Sequence, residues 1–338
     1  VNTIRLRLWN DPFGKDHEPY QGGFCDLDSI IALAHHAKNH SMSILLDFHY
    51  SDFWADPGKQ FKPKAWRKIR GQELEKCVLD YTQSVLERFK HEGILPEYVQ
   101  IGNEITNGML WPDGKLEVNP QGGPRLGYDH LARLIRAGIK GVKNISPNTK
   151  IVLHLERSGD NAVYHEWLDA ILRNEKIHFD ILGVSYYVYW HGPFDSFKKN
   201  MRDILNTYKK PICIVETSYG FTGKDYEASI QPEAFAGLVM TDEKLASLNP
   251  KPPFPLSYEG QNAFVKELLQ TIDELGLLGF YYWEPAWLPL KGSSWASKEA
   301  VEYIHETKGT GNEWANQGLF DYHGNALPAL KLIRDFKK

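Results

Sequence analysis

Two glutamates stand at the ends of apolar runs, where a solvated carboxylate is out of place: Glu104 closes YVQIGNE and Glu216 stands near the end of PICIVET. A pair of carboxyl groups about 5 to 5.5 Å apart can cleave a glycosidic bond with retention, one attacking the anomeric carbon while the other protonates the leaving oxygen. Taken singly, each glutamate could merely cap the following loop or pair with an arginine. Both doing so is the weaker reading. Neighbouring residue types suit the same chemistry. Asn103 can hold a sugar 2-hydroxyl, although an asparagine there is also a turn former. Tyr187, in GVSYY, can donate its hydroxyl to Glu216 or simply pack in the wall. Arg5 and Arg7 share one face of a strand, and a guanidinium beside Glu216 would lower its pKa by charge attraction. His49 ends LDFHY and could bond the sugar or the carboxylates, or serve as a satisfied structural histidine.

Those residues need a scaffold that brings strand ends together. Short β-rich runs at residues 1–8, 44–50, 98–104, 150–155, 180–187, 211–217 and 278–284 alternate with amphipathic stretches at 26–39, 71–89, 130–143, 162–173, 196–208, 260–275 and 327–336. Such alternation predicts a parallel sheet with crossover helices. The runs begin apolar and end polar (DFHY, GNE, SYY, VET, YWE), and barrel enzymes place their chemistry at the carboxyl ends of strands. A doubly wound sheet would use only one crevice and leave most of those termini idle. The expected fold is therefore a (β/α)8 TIM-type barrel, one catalytic domain over residues 1–338. Seven strands are legible rather than eight, and the first βα unit is expected upstream, in about 40 residues.

Composition narrows the partners. A net charge of −4 with no run of like charges disfavours nucleic acid, and no stretch is apolar for long enough to span a membrane. Three cysteines, Cys25, Cys77 and Cys213, show no metal spacing and are read as mostly buried thiols. Aromatic residues reach 13%, with 10 Trp and 17 Tyr, and exposed ring faces are useful chiefly to a ligand that stacks on them, as sugars do. Trp54, Trp111, Trp190, Trp283 and Trp287 all fall at strand ends or in the loops that follow, which suits an open groove with several subsites. Core packing is the competing fate of any one of them.

Taken in order, LDFHYSDFWADP, GNEI, NGMLWP, GVSYY, VETSY and FYYWEPAW resemble the endo-β-1,4-galactanases of glycoside hydrolase family 53, over essentially the whole chain. The SDFWADP and WEPAW stretches are far more specific than the Asn-Glu pair, which a whole clan of barrel glycosidases shares. By that resemblance Glu104 matches the acid/base and Glu216 the nucleophile. Arg5, His49, Asn103, Tyr187 and Trp283 match the residues surrounding them, while Asp52, Trp54, Trp111 and Trp287 become walls of a galactan groove. The resemblance implies endo-cleavage of galactan or type I arabinogalactan without a cofactor, by a monomer acting outside the cytoplasm. The same barrel could instead cut mannan, xylan or a β-glucan, or bind carbohydrate without turnover. Some similar bacterial members carry calcium in the loop after strand seven. The matching stretch here, residues 220–260, has scattered acids but no comparable run of oxygen ligands, so no metal is expected there.

Overall fold

The computed structural model describes residues 2–226, 237–307 and 309–336. Seven parallel strands form one curved sheet: β1 (Thr3–Leu8), β2 (Ser43–Phe48), β3 (Tyr98–Ile101), β6 (Lys150–Leu155), β7 (Ile181–Ser185), β8 (Ile212–Thr217) and β9 (Phe280–Tyr282), paired in that order. Between β3 and β6 in the chain, β4 (Gly108–Met109) pairs antiparallel with β5 (Gly114–Lys115) in a small separate hairpin. The outer layer is α1 (Leu27–Asn39), α2 (Gly71–His91), α3 (Tyr128–Ile145), α4 (Asn161–Leu168), α5 (Phe194–Tyr208), α7 (Tyr258–Leu275) and α9 (Pro328–Asp335). Two short helices, α6 (Asp242–Ser247) and α8 (Lys298–Tyr303), lie in long connections where no periodicity announced them. The sheet is a nearly closed barrel. Its outer strands meet through side chains: the Thr3 and Tyr281 hydroxyls are 2.9 Å apart, and Arg7 on β1 pairs with Glu284, just past β9, at 2.8 Å.

Alternation along the strands sorts the residues into two environments. On β2, Ile44, Leu46 and Phe48 face the helices in the main core, whereas Leu45 and Asp47, with His49 just past the strand, point inward. The base of the interior is apolar, formed by Leu45, Tyr98, Val152, Ile181, Cys213, Val215 and Tyr281. Above it the inward positions turn polar, with Arg5, Asp47, Gln100 and His154. A second buried cluster, centred on Trp9, Phe53, Trp295 and Tyr303, lies under the loops at the carboxyl ends of the strands.

Strands proved shorter than their hydrophobic pattern suggested, for a backbone reason. The run expected through Glu104 ends at Ile101, after which Gly102 (φ 77°) and Glu104 (φ 50°) both take left-handed conformations. A Cβ on Gly102 would come within 2.6 Å of the Ile105 side chain. Tyr50 and Glu284 end their strands in the same way, at φ 50° and 48°. A left-handed residue cannot continue the extended ladder. Among the described helices none is long and apolar enough to cross a membrane. Part of the loop at 220–260, where no calcium was expected, lies outside the described residues. Cys25 and Cys213 are buried, and Cys77 is partly exposed.

Candidate active site

Arg5 organises the floor of the mouth. From β1 its guanidinium donates to Glu216 Oε1 at 2.8 Å, to Asp47 Oδ2 and Asn103 Oδ1 at 2.7 Å each, and to Gln100 Oε1 at 3.2 Å. A buried guanidinium with five donors demands such partners. Glu216 reaches this position through a β-bulge. Val184 pairs with Ile214 but Ser185 pairs with Glu216, so Val215 is the extra residue and Glu216 swings inward beside it. Its second oxygen accepts the Tyr187 hydroxyl at 3.1 Å. Glu104 approaches from the opposite side, in contact with the Ser185 hydroxyl at 2.6 Å. Carboxyl oxygens of Glu104 and Glu216 and a ring nitrogen of His154 all lie within 4.8 Å of one another. Carboxyl oxygens this close suit the roughly 5 to 5.5 Å separation of a retaining pair better than the wider gap an inverting enzyme leaves for water.

The cleft above these groups encloses about 420 Å³. Its walls are aromatic. On one side Trp54 and Trp287 face each other at 6.5 Å, with Trp283 at 6.0 Å edge-on to Trp54; on the other, Trp190 and Trp314 lie 6.4 Å apart against Tyr187. Charged residues Asp56, Lys59, Glu156, Glu306 and Glu313 also line it.

Comparison with known proteins decides the family. Residues 1–333 match the profile of glycosyl hydrolase family 53. The chain belongs to that family. It is 40% identical to a Niallia circulans protein described as an uncharacterised protein in the bgaB 5′ region, over 99% of this chain and 83% of that one. It is 30% identical to an endo-beta-1,4-galactanase of Bacillus subtilis, over 99% and 76%. The solved catalytic domain of an Ignisphaera aggregans family 53 protein superposes with a TM-score of 0.85 at 37% identity, over 99% of this chain and 85% of that one.

Electrostatics differentiate the two carboxyl groups of this glycoside hydrolase. Glu104 is pushed well above the usual carboxylate range, first by burial and then by the charges of Glu216 and Glu156. Glu216 is also raised by burial, but Arg5 and Tyr187 pull against that shift. The guanidinium thus acts in the direction the sequence suggested, while burial sets the net sign. Arg5 and Tyr187 favour the ionised form of Glu216, whereas the charges of Glu216 and Glu156 disfavour ionisation of Glu104. Tyr187 stays a donor because burial and the Glu216 charge raise its pKa.

Most residues singled out by sequence meet in the cleft of this family 53 chain: Glu104, Glu216, Asn103, Tyr187, Trp54, Trp190, Trp283 and Trp287 line it. Arg5 lies directly beneath. His49 sits one layer lower, its Nδ1 accepting the Ala55 amide at 3.1 Å and its Nε2 donating to Asp47 at 3.1 Å. Arg7 pairs with Glu284 and lays its guanidinium 4.0 Å over Trp54. Two expected wall residues are elsewhere. Asp52 is fully buried and ties a loop together, accepting the backbone amides of Lys64 at 2.7 Å and Asp11 at 3.1 Å. Trp111 donates its indole N–H to the Asn107 carbonyl at 3.1 Å and is not among the residues that line this cleft. Sequence reasoning also passed over Asp47, Gln100, His154, Ser185, Glu156, Trp295 and Trp314. For Asp47, Gln100 and His154 the signal existed: each is a polar residue inside a strand that is otherwise buried and apolar. Glu156, one residue past β6, brings a further carboxyl to the cleft, held by the Thr106 hydroxyl and 3.3 Å from the Arg157 guanidinium.

Proposed function

We propose that this family 53 enzyme is a retaining endo-β-1,4-galactanase in which Glu104 is the acid/base and Glu216 the nucleophile. The observation that carries the reading is the asymmetric pair itself: two carboxyl groups at retaining distance, one bound by a cation and a tyrosine hydroxyl, the other bound by neither. In the first step the Glu216 carboxylate attacks the anomeric carbon while the Glu104 proton passes to the departing glycosidic oxygen. In the second, Glu104 takes a proton from water, whose oxygen attacks the same carbon and releases Glu216. Arg5 steadies the carboxylate before and after its bond to the sugar. Asn103, fixed between Arg5 and the Ala55 carbonyl, stands ready for the 2-hydroxyl.

Galactan is the substrate favoured by the Bacillus subtilis relative's name and by the SDFWADP and WEPAW walls. An open cleft walled by rings on both sides suits internal cleavage of a chain that runs through it. The whole chain acts as one catalytic unit, a monomer, outside the cytoplasm, because the polymer is too large to enter a cell. Reducing-sugar release from linear β-1,4-galactan, measured beside mannan, xylan and β-glucan, tests the reading. Release from galactan alone, abolished in Glu216→Ala, is expected; release from a different glycan would reassign the substrate while keeping the mechanism.

A further inference from the structure

The hydrogen bonds running from Arg5 to Glu104 leave almost no freedom in the direction each one points. Arg5 can only donate, and its Nη2 lies 2.7 Å from Asn103 Oδ1. The other end of that amide donates to the Ala55 carbonyl at 2.9 Å, so both ends agree on which atom is oxygen. Asn103 Oδ1 is therefore an acceptor, and His154 Nδ1, 2.9 Å from it, carries a proton. The imidazole is fully buried and held neutral by burial and by the nearby Arg5 charge, which leaves one proton for two nitrogens. Nε2 is then bare, and the Ser185 hydroxyl at 2.8 Å donates to it. Ser185 has no second hydrogen. Its oxygen still lies 2.6 Å from Glu104 Oε1, a contact that closes only if Glu104 supplies the proton. Two other approaches to His154 Nδ1, from the Glu104 amide and from Gln100 Nε2, are both longer at 3.3 Å, and Gln100 already donates to Asp47 at 2.6 Å and to the Gly102 carbonyl at 2.9 Å.

We propose that the Asn103–His154–Ser185 chain is a wired relay that keeps the acid/base Glu104 protonated between turnovers, which makes His154 and Ser185 positioning residues for the reaction. The inference rests on the reading of Glu104 as the acid. The charges felt most by Glu104 agree with it, being all negative: Glu216 on β8, Glu156 after β6 and Asp56 in the loop after β2. After the first step, when Glu104 has given its proton to the leaving sugar, the single Ser185 hydrogen faces two acceptors, His154 Nε2 and the new carboxylate. One contact is then unmatched, and taking a proton from the incoming water repairs it. The relay thus favours the acid before cleavage and strengthens the base after it. It also excludes His154 from any metal ligand set with the two glutamates, since both ring nitrogens are occupied.

A serine that donated to an ionised Glu104 would have the opposite effect, lowering that carboxyl's pKa. This opposition makes the relay testable. Nitrogen NMR of the intact enzyme labelled with 15N-histidine, with the His154 signals assigned by their change in Ser185→Ala, should show the neutral tautomer protonated on Nδ1. The same tautomer should persist in Glu104→Gln, whose amide can donate to Ser185 as the acid does. A proton on Nε2 overturns the proposal. In Ser185→Ala the alkaline limb of kcat/KM on galactan should move down by about one pH unit, the value of one lost hydrogen bond to the protonated form. An upward shift, or none, overturns the proposal equally. The tautomer is read without turnover, so a Glu104→Ala enzyme that keeps full activity would refute the assignment of the acid and leave the wiring measurement standing.

Discussion

The floor and the walls of the cleft are built on opposite rules. On the floor, Arg5, Asp47, Gln100, Asn103, His154 and Glu216 are buried polar groups, each satisfied by directed bonds to others in the set. On the walls, Trp54, Trp287, Trp190 and Trp314 present rings, and where their indole nitrogens are bonded they bond to neighbouring protein groups, Trp54 to the Trp295 carbonyl and Trp287 to Asn312. A directed network fixes geometry to fractions of an ångström and loses much when one member goes. Ring faces tolerate sliding and add binding in increments. The floor should therefore govern kcat and folding, and the walls KM.

The largest effects that could break this division lie in the carboxyl pair. Glu216→Ala should remove turnover on galactan to background. Glu104→Ala should lower kcat by about 10² to 10⁴-fold, the range of a lost general acid. An aryl galactoside with a good leaving group needs no proton in the first step, so steady-state assays on it should show that step largely spared in Glu104→Ala. Equal losses on both substrates would contradict the assigned roles. Glu104→Gln should also change stability with a definite sign. A buried carboxyl with a raised pKa favours the folded state while protonated, and that contribution disappears as pH rises through the folded-state value. The variant should match the parent near about pH 4, where both carry a neutral group, and melt higher than the parent in alkali.

Next in size is Arg5. Removing it by Arg5→Ala leaves Asp47 and Glu216 buried without their cation, a change that costs about 3 to 5 kcal/mol. Denaturant titration should show that loss as a lower midpoint. A stable, folded Arg5→Ala protein would mean that the floor is less tightly paired than its distances indicate.

The contrast between floor and walls also explains what could be read from sequence. Strand and helix alternation was legible because each element keeps one period and buries one face. Glu104, Glu216, Asn103 and Tyr187 were legible because strand ends converge in a barrel. What failed was loop direction. Asp52 and Trp111 follow strand ends as closely as Trp54 does, yet the Lys64 amide draws one inward and the Asn107 carbonyl turns the other back. Trp295 and Trp314 come from an irregular stretch after β9 with no pattern to place them. His154 and Ser185 were missed for a different reason: a polar residue within a buried strand was visible, but its partners are distant in sequence, 51 residues from Asn103 to His154 and 81 from Glu104 to Ser185.

Tyr187 stands on the boundary, since its hydroxyl belongs to the floor and its ring to the wall beside Trp190 and Trp314. Tyr187→Phe keeps the ring and removes only the donor to Glu216. The division then calls for a loss in kcat of about 10-fold, one hydrogen bond to a charged group, with KM little changed. The acid limb of the pH profile should rise as well, because the lost bond favoured the ionised form of Glu216. A change confined to KM would place the tyrosine with the walls.

The smallest effect is the sharpest test of the walls. Trp190 is half exposed, with 50% of its surface open, and its ring rests against Tyr187 at 5.2 Å and Trp314 at 6.4 Å. Truncating it removes little from the core, so Trp190→Ala should fold and melt close to the parent. What it removes is one face for a sugar to stack on, worth about 0.5 to 1.5 kcal/mol, which is a rise in KM of several-fold. Because no bond on the floor depends on the ring, kcat on long galactan should hold. Initial rates against chain length separate the two sides of the cleft: oligosaccharides too short to reach Trp190 should be cut equally by variant and parent, and longer ones should lose affinity only in the variant. If kcat fell instead while KM stayed, the ring would be positioning Tyr187 for Glu216, and the line between wall and floor would have to be drawn one residue further out.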